Sequence, residues 1–451
     1  MERSGGCTRI TVMKLSFHGG ARTVTGANYL LQTGKTKILI DCGLIQGCNF
    51  CEKQNWEPFP YNPAEIEAVL ITHSHIDHIG RLPKLYKDGF RGTIYSTPPC
   101  REAGELALFD SDHILAQEAE RFKKPILYSE EDVNGLTKLW RGIEYYKDIK
   151  VQGLKINFYN AGHILGSASI LVEDGQTNVV FSGDLGNSPA PLLGNKDPLP
   201  AADYCLIESV YGDRRHEASR KRREILEDVI EETVKAGGVL IIPAFAMERT
   251  QELLKELNDL IEGGRIPPLP VFLDSPLAIK LTAVYKKYQS YLKEPADFDF
   301  PGLKMTLTTA ESKAINDVPP PKIIIAGSGM SHGGRILHHE KRYLSDPKST
   351  LLVIGYQADG SLGRQLLDGA KKINIHSEEI TVHCRIKNIP GYSAHADQPQ
   401  LLNWLKPRRR RLKKVFVVQG EEAASNILAQ KIKDELAVAS AVPAIKMTAV
   451  L

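Results

Sequence analysis

Four metal-type side chains lie within six positions of one short stretch, residues 69–80 (VLITHSHIDHIG). The stretch opens as an apolar strand and runs directly into His73, His75, Asp77 and His78. Because residues two apart in an extended chain point the same way, His73 and His75 can present their imidazoles to one cation. Where the chain turns towards a helix, Asp77 and His78 point to the neighbouring side and can hold a second cation. We interpret the stretch as a metal-binding loop; a histidine-rich surface turn is the alternative.

The length and composition of the chain are those of an ordinary globular protein. Its 451 residues are enough for two or three domains, each with its own core. Hydrophobic residues make up 42% and charged residues 25%, as in typical soluble domains. The net charge of +3 is near balance, so a preference for polyanions has to come from the local arrangement of charges. No apolar run approaches signal-peptide or transmembrane length, so we expect a cytoplasmic protein with no membrane contact.

The cysteines favour a reducing compartment. There are seven, an odd number, and they are scattered along the chain instead of forming a disulfide framework. Cys48 and Cys51 have a CxxC spacing, but no second pair stands at zinc-ribbon distance, so we interpret them as loop cysteines. Local redox or metal chemistry at these thiols is the alternative. Met13, where the patterned sequence begins, is a candidate for the true start of the protein.

Four further apolar runs each lead to a polar residue close to glycine or serine. Open α/β sheets place their chemistry in this way, on the loops outside the ends of the strands. By contrast His113, inside a helix predicted at about 99–122, has no ligand-spaced neighbour, and we interpret it as structural. The four predicted strands and the residues that follow them are 37–40 with Asp41, 155–159 with His163, 178–181 with Asp184, and 204–207 with Glu208.

The candidate ligands divide into two sets: His73, His75 and His163 for one cation, and Asp77 and His78 for another. Asp184 can bridge the two cations because a carboxylate has two oxygens, whereas Asp41 is better placed to orient a ligand or a bound water. Nitrogen-rich ligation with carboxylates favours zinc, with manganese as the alternative. Two cations about 3.5 to 4 Å apart would activate a shared water and clamp the attacked group, so we predict the hydrolysis of a phosphate ester.

After Gly212 the pattern changes to alternating strands and helices, which predicts a second α/β unit. Helices are predicted at about 217–236, 247–261 and 276–292, with buried strands at 239–242, 271–273, 322–326 and 351–354. The glycine-rich segment 327–335 (GSGMSHGGR) lies between a strand and a helix-like run, where backbone N–H groups can bind a phosphate. An ordinary glycine turn is the alternative. The candidate substrate contacts in this segment are Ser328, Gly329, Ser331, Gly333 and Arg335.

The combination of motifs is similar to a known superfamily. Asp41, THSHIDH at 72–78, His163 and Asp184 resemble the metallo-β-lactamase superfamily. ESVYGD, GSGMSHGGR and GYSAHAD are similar to its β-CASP branch of RNA-processing nucleases, which includes RNase J and the mRNA 3′-end cleavage nuclease. The resemblance implies an α/β fold. Residues 1–208 and 373–451 would form a metallo-β-lactamase αββα sandwich, and 209–372 an inserted α/β β-CASP domain that covers the site.

The resemblance also implies roles for single residues. Glu208 matches the first β-CASP motif and His395 the second, with the histidine as general acid, and Asp41, Asp77 and Asp184 are the catalytic carboxylates of the first domain. A histidine paired with a carboxylate stays protonated closer to neutral pH, which suits a general acid. If the two residues are not paired, Glu208 is a strand-end charge and His395 a loop histidine.

One position departs from the family pattern. The RNA-processing branch has a histidine on the second metal in its third motif, and this chain has Gln419 there, before Gly420 and Glu421. An amide oxygen is a poorer zinc ligand than imidazole and brings no charge. We therefore expect the second of two zinc sites to be weak, absent or exchangeable.

We predict a zinc-dependent ribonuclease that cleaves single-stranded RNA and, as the resemblance implies, leaves a 5′-phosphate and a 3′-hydroxyl. Endonuclease and 5′-exonuclease action both stay open, as does the choice of RNA over DNA, and the resemblance allows a homodimer. The basic run at 408–414 is either a phosphate track or a solvated face. The alternatives are a catalytically impaired RNA-binding scaffold, suggested by Gln419, and a small-molecule hydrolase of the same superfamily.

Overall fold

A computed structural model describes residues 12–46, 53–216, 222–355, 357, 360–389 and 392–451 of the chain. Cys48 and Cys51 lie outside the described residues, and so do Gly391 of the GYSAHAD motif and the first residues of the helix predicted at 217–236. The remaining sequence predictions fall on residues whose structure is described.

Two sheets of seven strands each contain most of the predicted site. In the first sheet the order is β22-β1-β2-β3-β4-β5-β6, and in the second it is β21-β20-β11-β10-β9-β8-β7. The strands of the first sheet are β1 (Met13–Gly19), β2 (Asn28–Thr33), β3 (Thr36–Ile40), β4 (Ala68–Leu70), β5 (Thr93–Ser96), β6 (Trp140–Gly142) and β22 (Thr448–Val450). Those of the second sheet are β7 (Ile149–Val151), β8 (Leu154–Asn160), β9 (Ala168–Glu173), β10 (Asn178–Phe181), β11 (Tyr204–Glu208), β20 (Lys414–Val418) and β21 (Ser440–Ala441).

A third sheet has the order β14-β13-β15-β12-β16-β19, and a separate hairpin follows it. The strands of the third sheet are β12 (Val239–Pro243), β13 (Val271–Asp274), β14 (Leu303–Met305), β15 (Lys322–Ala326), β16 (Thr350–Ile354) and β19 (Arg385–Ile389). The hairpin strands are β17 (Lys372–Ile375) and β18 (Glu378–Thr381).

Helices surround all three sheets. None of the helices in the described part of the chain is long and apolar enough to cross a membrane. The helices are α1 (Ile76–Ile79), α2 (Leu82–Lys87), α3 (Pro98–Phe122), α4 (Glu130–Thr137), α5 (Arg222–Ala236), α6 (Arg249–Glu262), α7 (Pro276–Lys287), α8 (Thr309–Ala314), α9 (Ile336–Tyr343), α10 (Leu362–Leu367), α11 (Gln398–Leu405) and α12 (Glu422–Leu436).

Alternate residues of each strand point to opposite faces of its sheet. One face of each of the first two sheets packs against the other sheet. Phe17 of β1, Phe181 of β10 and Phe416 of β20 belong to one core between the sheets. The opposite residues of the first sheet pack on α1–α4, and those of the second sheet pack on α11 and α12. This layering is an αββα sandwich, so the fold class predicted from the sequence is confirmed.

The third sheet is parallel throughout and is buried on both faces, which explains its continuous apolar strands such as VLIIP and KIIIA. Its last strand, β19, pairs with β16 although it lies beyond residue 372, where the sequence predicts the end of the inserted unit. We therefore propose that the inserted unit extends to Ile389.

One local prediction differs from the structure, and one strand was not predicted. The helix predicted at 276–292 ends at Lys287, where Tyr288 leaves helical geometry and a short 3-10 turn, Gln289–Tyr291, follows. The Ala-rich tail, which has no recognisable pattern, adds β22 to the edge of the first sheet through pairs such as Lys14 with Val450. Strand pairing over such a distance in sequence is not visible in local composition.

The strands that carry the site are parallel neighbours within their sheets, so their carboxyl ends lie at one edge. This holds for β3 and β4 in the first sheet, and for β10, β11 and β20 in the second. At this edge the chain reaches Asp41, the loop 71–75, Asp184, Glu208 and Gln419. The topology therefore brings most of the predicted site residues to one end of the sandwich.

Candidate metal centre

Four of the predicted ligands meet at one point. The ligand atoms of His73, His75, His163 and Asp184, which we call the first set, all lie within 4.8 Å of one another. His75 Nδ1 lies 3.1 Å from His73 Nε2 and 3.3 Å from His163 Nε2, and Asp184 Oδ2 lies 3.4 Å and 3.5 Å from the same two nitrogens. Donors bound at roughly 2.0–2.1 Å to a tetrahedral zinc are roughly 3.3 Å apart. The first set therefore has the spacing that such a cation requires.

The backbone around the ligand loop is tightly packed. Cys42 N, just after β3, donates to the carbonyl of His78 at 2.8 Å. At Gly43 a Cβ would lie 1.5 Å from the carbonyl oxygen of Asp77, so a side chain at this position would displace the loop. The close approach of the two segments thus fixes the turn that follows His73 and His75.

Burial and neighbouring charges favour the protonation states in which the first set can bind a cation. Burial, together with the neighbouring His78, lowers the pKa of His73, and burial lowers the pKa of His75 and His163 well below 6.5. Burial alone would raise the pKa of Asp184, but His78 and His73 hold it well below its ordinary value. Neutral imidazoles and an ionised carboxylate are the protonation states that a divalent cation binds.

Asp41 orients a neighbouring histidine and is not part of the first set. Its Oδ1 accepts from Thr72 N and its Oδ2 from Thr72 Oγ1, both at 2.8 Å. Oδ2 also lies 2.8 Å from His78 Nδ1. With Nδ1 engaged in this way, the other nitrogen of His78, Nε2, points towards Asp184.

Asp77 and His78, the predicted ligands of a second cation, are less well assembled. His78 Nε2 lies 3.5 Å from Asp184 Oδ1 and 3.8 Å from Asp77 Oδ2. Among the described residues two compact sets of metal-type donor atoms occur, and neither includes Asp77 or His78. The amide nitrogen of Gln419 lies 2.7 Å from His78 Nε2 and 3.0 Å from Asp184 Oδ1. Burial alone lowers the pKa of His78, but the carboxylates of Asp184, Asp41 and Asp77 raise it well above its ordinary value.

The other compact set joins Glu208 and His395 to Asp184. Glu208 is fully buried; its Oε1 accepts from Leu185 N at 2.7 Å and lies 3.4 Å from His395 Nδ1. His395 Nδ1 lies 3.8 Å from Asp184 Oδ2, so the pair adjoins the first set. Burial alone would lower the pKa of His395, but the Glu208 carboxylate raises it above its ordinary value. The two residues are thus paired, and His395 Nε2 is not engaged by Glu208.

Lys196 is a neighbour of this pair that the sequence does not reveal. Its Nζ donates to the carbonyl of Gly186 at 2.7 Å and to Gln400 Oε1 at 3.0 Å. Burial lowers the pKa of Lys196 to about 8, against the opposite effect of the Glu208 and Asp397 carboxylates. It stands in a loop without a motif, so no local signal marks it.

The glycine-rich segment is held in place by the third sheet. Arg335 donates to Asp274 Oδ1 at 2.7 Å and to the carbonyls of Thr306 and Leu307 at 2.8 Å, so both of its terminal nitrogens are engaged. Ser331 is buried and donates to Glu340 Oε1 at 2.5 Å. We therefore propose that Arg335 and Ser331 shape this segment and do not bind substrate.

Three other candidate contacts in the segment are better placed for a ligand. The Ser328 hydroxyl accepts from His332 N at 3.0 Å and from Gly333 N at 3.4 Å, and keeps its own proton to donate. A Cβ on Gly333 would have no atom within 4 Å, so this glycine borders open space. Gly329 backs the ring of Phe245, with a Cβ there only 2.6 Å from a ring carbon.

The basic run does not join the metal centre. The residues at 408–411 are exposed and lie just before β20, whereas Gln419 follows the other end of that strand. A five-residue strand is roughly 16 Å long. The structure therefore separates this run from the site, and the phosphate track considered from the sequence does not lie along the metal centre.

A polar cleft opens beside His163. Glu248 and Arg249, at the start of α6, line it together with Ser393 and Ala394. Glu248 is buried; Tyr285 donates to its Oε2 at 2.5 Å, whereas its Oε1 has no partner. Burial raises the pKa of this carboxyl to about 8. No metal-type spacing in the sequence distinguishes Glu248 from an ordinary helix-starting glutamate.

Three imidazoles and one carboxylate, set at the strand ends of an αββα sandwich, define the class of the protein as a metallo-hydrolase. Three family models match the chain: a metallo-β-lactamase superfamily domain at 30–193, a Beta-Casp domain at 250–366, and a Zn-dependent metallo-hydrolase RNA specificity domain at 379–443. The chain belongs to the β-CASP family of the metallo-β-lactamase superfamily, as its motifs predict.

Several curated proteins resemble the chain over nearly its whole length. Ribonuclease TTHA0252 of Thermus thermophilus is 38% identical over 91% of this chain and 94% of its own. An RNase J-like protein of Methanocaldococcus jannaschii is 32% identical over 95% and 97%, and transcription termination factor FttA of Methanosarcina mazei is 33% identical over 93% and 68%. A solved protein of unknown function from Enterococcus faecalis shares the fold, with a TM-score of 0.57, 12% identity, and coverage of 98% of this chain and 100% of its own.

The buried carboxyl of Glu248 predicts a pH-dependent effect on stability. In the folded protein it keeps its proton up to a pH of about 8, whereas the unfolded chain releases it near the ordinary value of 4.5. Folding stability therefore falls as the pH rises between these values. We expect Glu248→Gln to raise the free energy of unfolding by roughly 4 kcal/mol at pH 8 and to have little effect at pH 4. Urea denaturation at both pH values measures this.

The same substitution at exposed Glu262, at the end of the same helix, is the matched control. It is expected to change the free energy of unfolding by less than about 0.5 kcal/mol at either pH. The prediction would be contradicted if the stability gain of Glu248→Gln over the wild type were no larger at pH 8 than at pH 4.

Proposed function

We propose that this protein is a metal-dependent ribonuclease that hydrolyses phosphodiester bonds of single-stranded RNA. The observation that carries the proposal is the first set, whose ligand atoms have the spacing that a tetrahedral cation requires and lie directly beside the Glu208–His395 pair. The ribonuclease among the relatives and the match to an RNA specificity domain support RNA as the substrate. A small-molecule hydrolase is disfavoured, since a small ester has no use for the inserted unit.

Three imidazoles and a carboxylate suit zinc better than magnesium or calcium. The first set would hold the zinc ion, which would supply a Lewis acid and the activation of a water for attack on phosphorus. Asp184 keeps its charge in the buried site because His78 and His73 stabilise the ionised form. The protein thereby holds the ligand geometry before substrate arrives.

His395 acts as the general acid. Glu208 engages Nδ1 of the ring, orients it and favours its protonated form. As water attacks phosphorus, the bond from phosphorus to the 3′-oxygen breaks and Nε2 gives its proton to that oxygen. The products are a 5′-phosphate and a 3′-hydroxyl.

An RNA-binding protein without cleavage is the second candidate function, favoured by Gln419 at a position where the resemblance implies a metal ligand. Metal content and cleavage, measured together, separate the two candidates. A protein with less than one bound cation per chain, no cleavage and intact RNA binding would favour the scaffold.

Removal of one ligand from the first set is expected to abolish both zinc binding and cleavage. We expect His163→Ala to lower the cleavage of end-labelled single-stranded RNA by at least about 1,000-fold, because the water loses its activating cation. Zinc per chain, measured by mass spectrometry, should fall in parallel. The exposed His113 on α3 provides the matched control, and His113→Ala should keep wild-type zinc and turnover. Wild-type turnover in His163→Ala would exclude the proposed site.

A sulfur leaving group tests the role of His395. A 3′-thiolate leaves without needing a proton, so an RNA with a 3′-bridging sulfur at the cleaved bond bypasses the general acid. We expect His395→Ala to slow the cleavage of ordinary RNA by roughly 100- to 10,000-fold and to slow the sulfur substrate far less. Single-turnover rates on the two substrates give the comparison. Equal losses on both would show that His395 does not donate this proton.

A further inference from the structure

The backbone around Gln419 holds its side chain inside the site. Gln419 is buried; its N donates to the carbonyl of Gly20 at 2.7 Å, and its carbonyl accepts from Ser209 N at 3.1 Å. A Cβ on Gly20 would lie 3.2 Å from Gln419 Cγ, so this glycine leaves room for the side chain. The amide is therefore directed between His78 and Asp184 by contacts on both sides.

The amide lies within hydrogen-bond distance of two partners at the same time. His78 Nδ1 lies 2.8 Å from Asp41 Oδ2, so the other ring nitrogen, Nε2, faces the amide. A primary amide has two N–H groups, and Gln419 Nε2 lies at donor distance from both His78 Nε2 and Asp184 Oδ1, 2.7 Å and 3.0 Å. The opposite orientation would point the amide oxygen at the Asp184 carboxylate.

The same distances do not suit a shared cation. The 2.7 Å separation is a hydrogen-bond distance, whereas two donors on one tetrahedral zinc are roughly 3.3 Å apart. Asp77 Oδ2 is no closer than 3.8 Å to His78 Nε2. The amide thus occupies the space between His78 Nε2 and Asp184 Oδ1 at hydrogen-bond distances from both.

We propose that the Gln419 amide fills the position of the second cation, and that the enzyme works with a single cation in the first set. The inference rests on the proposed function. It assigns to the amide the task of linking His78 to Asp184.

Metal stoichiometry tests this directly, with a readout independent of activity. Wild type, Gln419→His, Gln419→Glu and Gln419→Met are equilibrated with the same buffered free zinc, and zinc per chain is measured by mass spectrometry. We expect one zinc per chain in the wild type and in Gln419→Met, which has similar volume and no metal-binding nitrogen or oxygen. The histidine and glutamate variants, which supply a ligand in place of the amide, should approach two.

Two zinc ions in the wild type would overturn the inference, and so would one zinc in a histidine and a glutamate variant that both fold, judged by circular dichroism. A wild type that binds no zinc and cleaves no RNA would instead refute the proposed function. The two failures are therefore distinguishable.

A separate observation concerns Phe245, on the loop after β12. Its side chain is 37% exposed although it is large and apolar. β12 and β15 are parallel neighbours, so Phe245 and Gly329 follow adjacent strands at the same edge of the third sheet. Gly329 has no side chain to displace the ring, and its carbonyl accepts from Gln357 Nε2 at 2.9 Å. One side of the ring is thus backed by fixed backbone while part of the ring remains in solvent.

The loop with Phe245 also touches the metal-binding loop. Met247, two residues further on, accepts a hydrogen bond on its sulfur from Ser74 Oγ at 3.2 Å, and Ser74 lies between His73 and His75. We propose that Phe245 is a stacking platform for a nucleobase of the RNA next to the cleaved bond. This second inference also rests on the proposed function, and it follows because aromatic rings bind single-stranded bases by stacking whatever their sequence.

RNA with a single abasic nucleotide, placed in turn at each position around the cleaved bond, tests the platform. Phe245→Leu should raise KM for intact RNA roughly tenfold, and Phe245→Trp should restore it. When the abasic nucleotide is at one particular position, KM of the wild type should rise by the same factor. KM of Phe245→Leu should not rise further with that RNA. Hydrolysis of bis(4-nitrophenyl) phosphate, a diester without a base, should be unchanged in Phe245→Leu.

The platform would be overturned if Phe245→Leu raised KM by the same factor for intact RNA and for every one of the singly abasic RNAs. It would also be overturned if Phe245→Leu left KM for intact RNA unchanged. Failure of the wild type on both the RNA and the small diester would point to the proposed function instead.

Discussion

The candidate site depends on one buried carboxylate, that of Asp184. A buried charge is stable only when it is surrounded by matched partners. Oδ2 lies 3.4 Å and 3.5 Å from nitrogens of the first set, and Oδ1 lies 3.0 Å from the amide of Gln419. Because Oδ2 is also 3.8 Å from His395 Nδ1, the same carboxylate couples the metal centre to the acid pair. The position of this carboxylate therefore affects the first set, the Glu208–His395 pair and the Gln419 amide together.

The sandwich explains how residues so far apart in sequence reach this carboxylate. Parallel neighbours in each sheet end at the same edge, and the loops beyond that edge are pinned by backbone hydrogen bonds and by the close contact at Gly43. Ligands that follow strands of a packed sheet are held with little freedom. The third sheet contributes the neighbouring wall, where Phe245 and the glycine-rich segment meet the ligand loop through Met247 and Ser74.

Much of the fold and the site is visible in the sequence because the signals are local. A strand followed by closely spaced histidines is a local pattern, and so is the motif around His395. Arg335 and the basic run at 408–414 show the limit of such signals. Arg335 could bind phosphate but is engaged by Asp274 instead. The basic run precedes β20, whereas the metal centre lies beyond the other end of that strand. No sequence motif marks Lys196, Glu248 and Phe245. Only their burial or exposure and their neighbours in the fold identify them as candidate functional residues.

By itself, the sequence determined the types of metal ligand, because side-chain chemistry is a property of short segments. The resemblance of its motifs to a known superfamily implied the αββα class and the pairing of a glutamate with a histidine. Only the tertiary structure decided where the Gln419 amide lies. His78 and Gln419 are 341 positions apart, and their separation of 2.7 Å is set by the packing of two different sheets. A difference of roughly 0.6 Å there distinguishes a hydrogen bond from a shared metal ion, and no local pattern contains that distance.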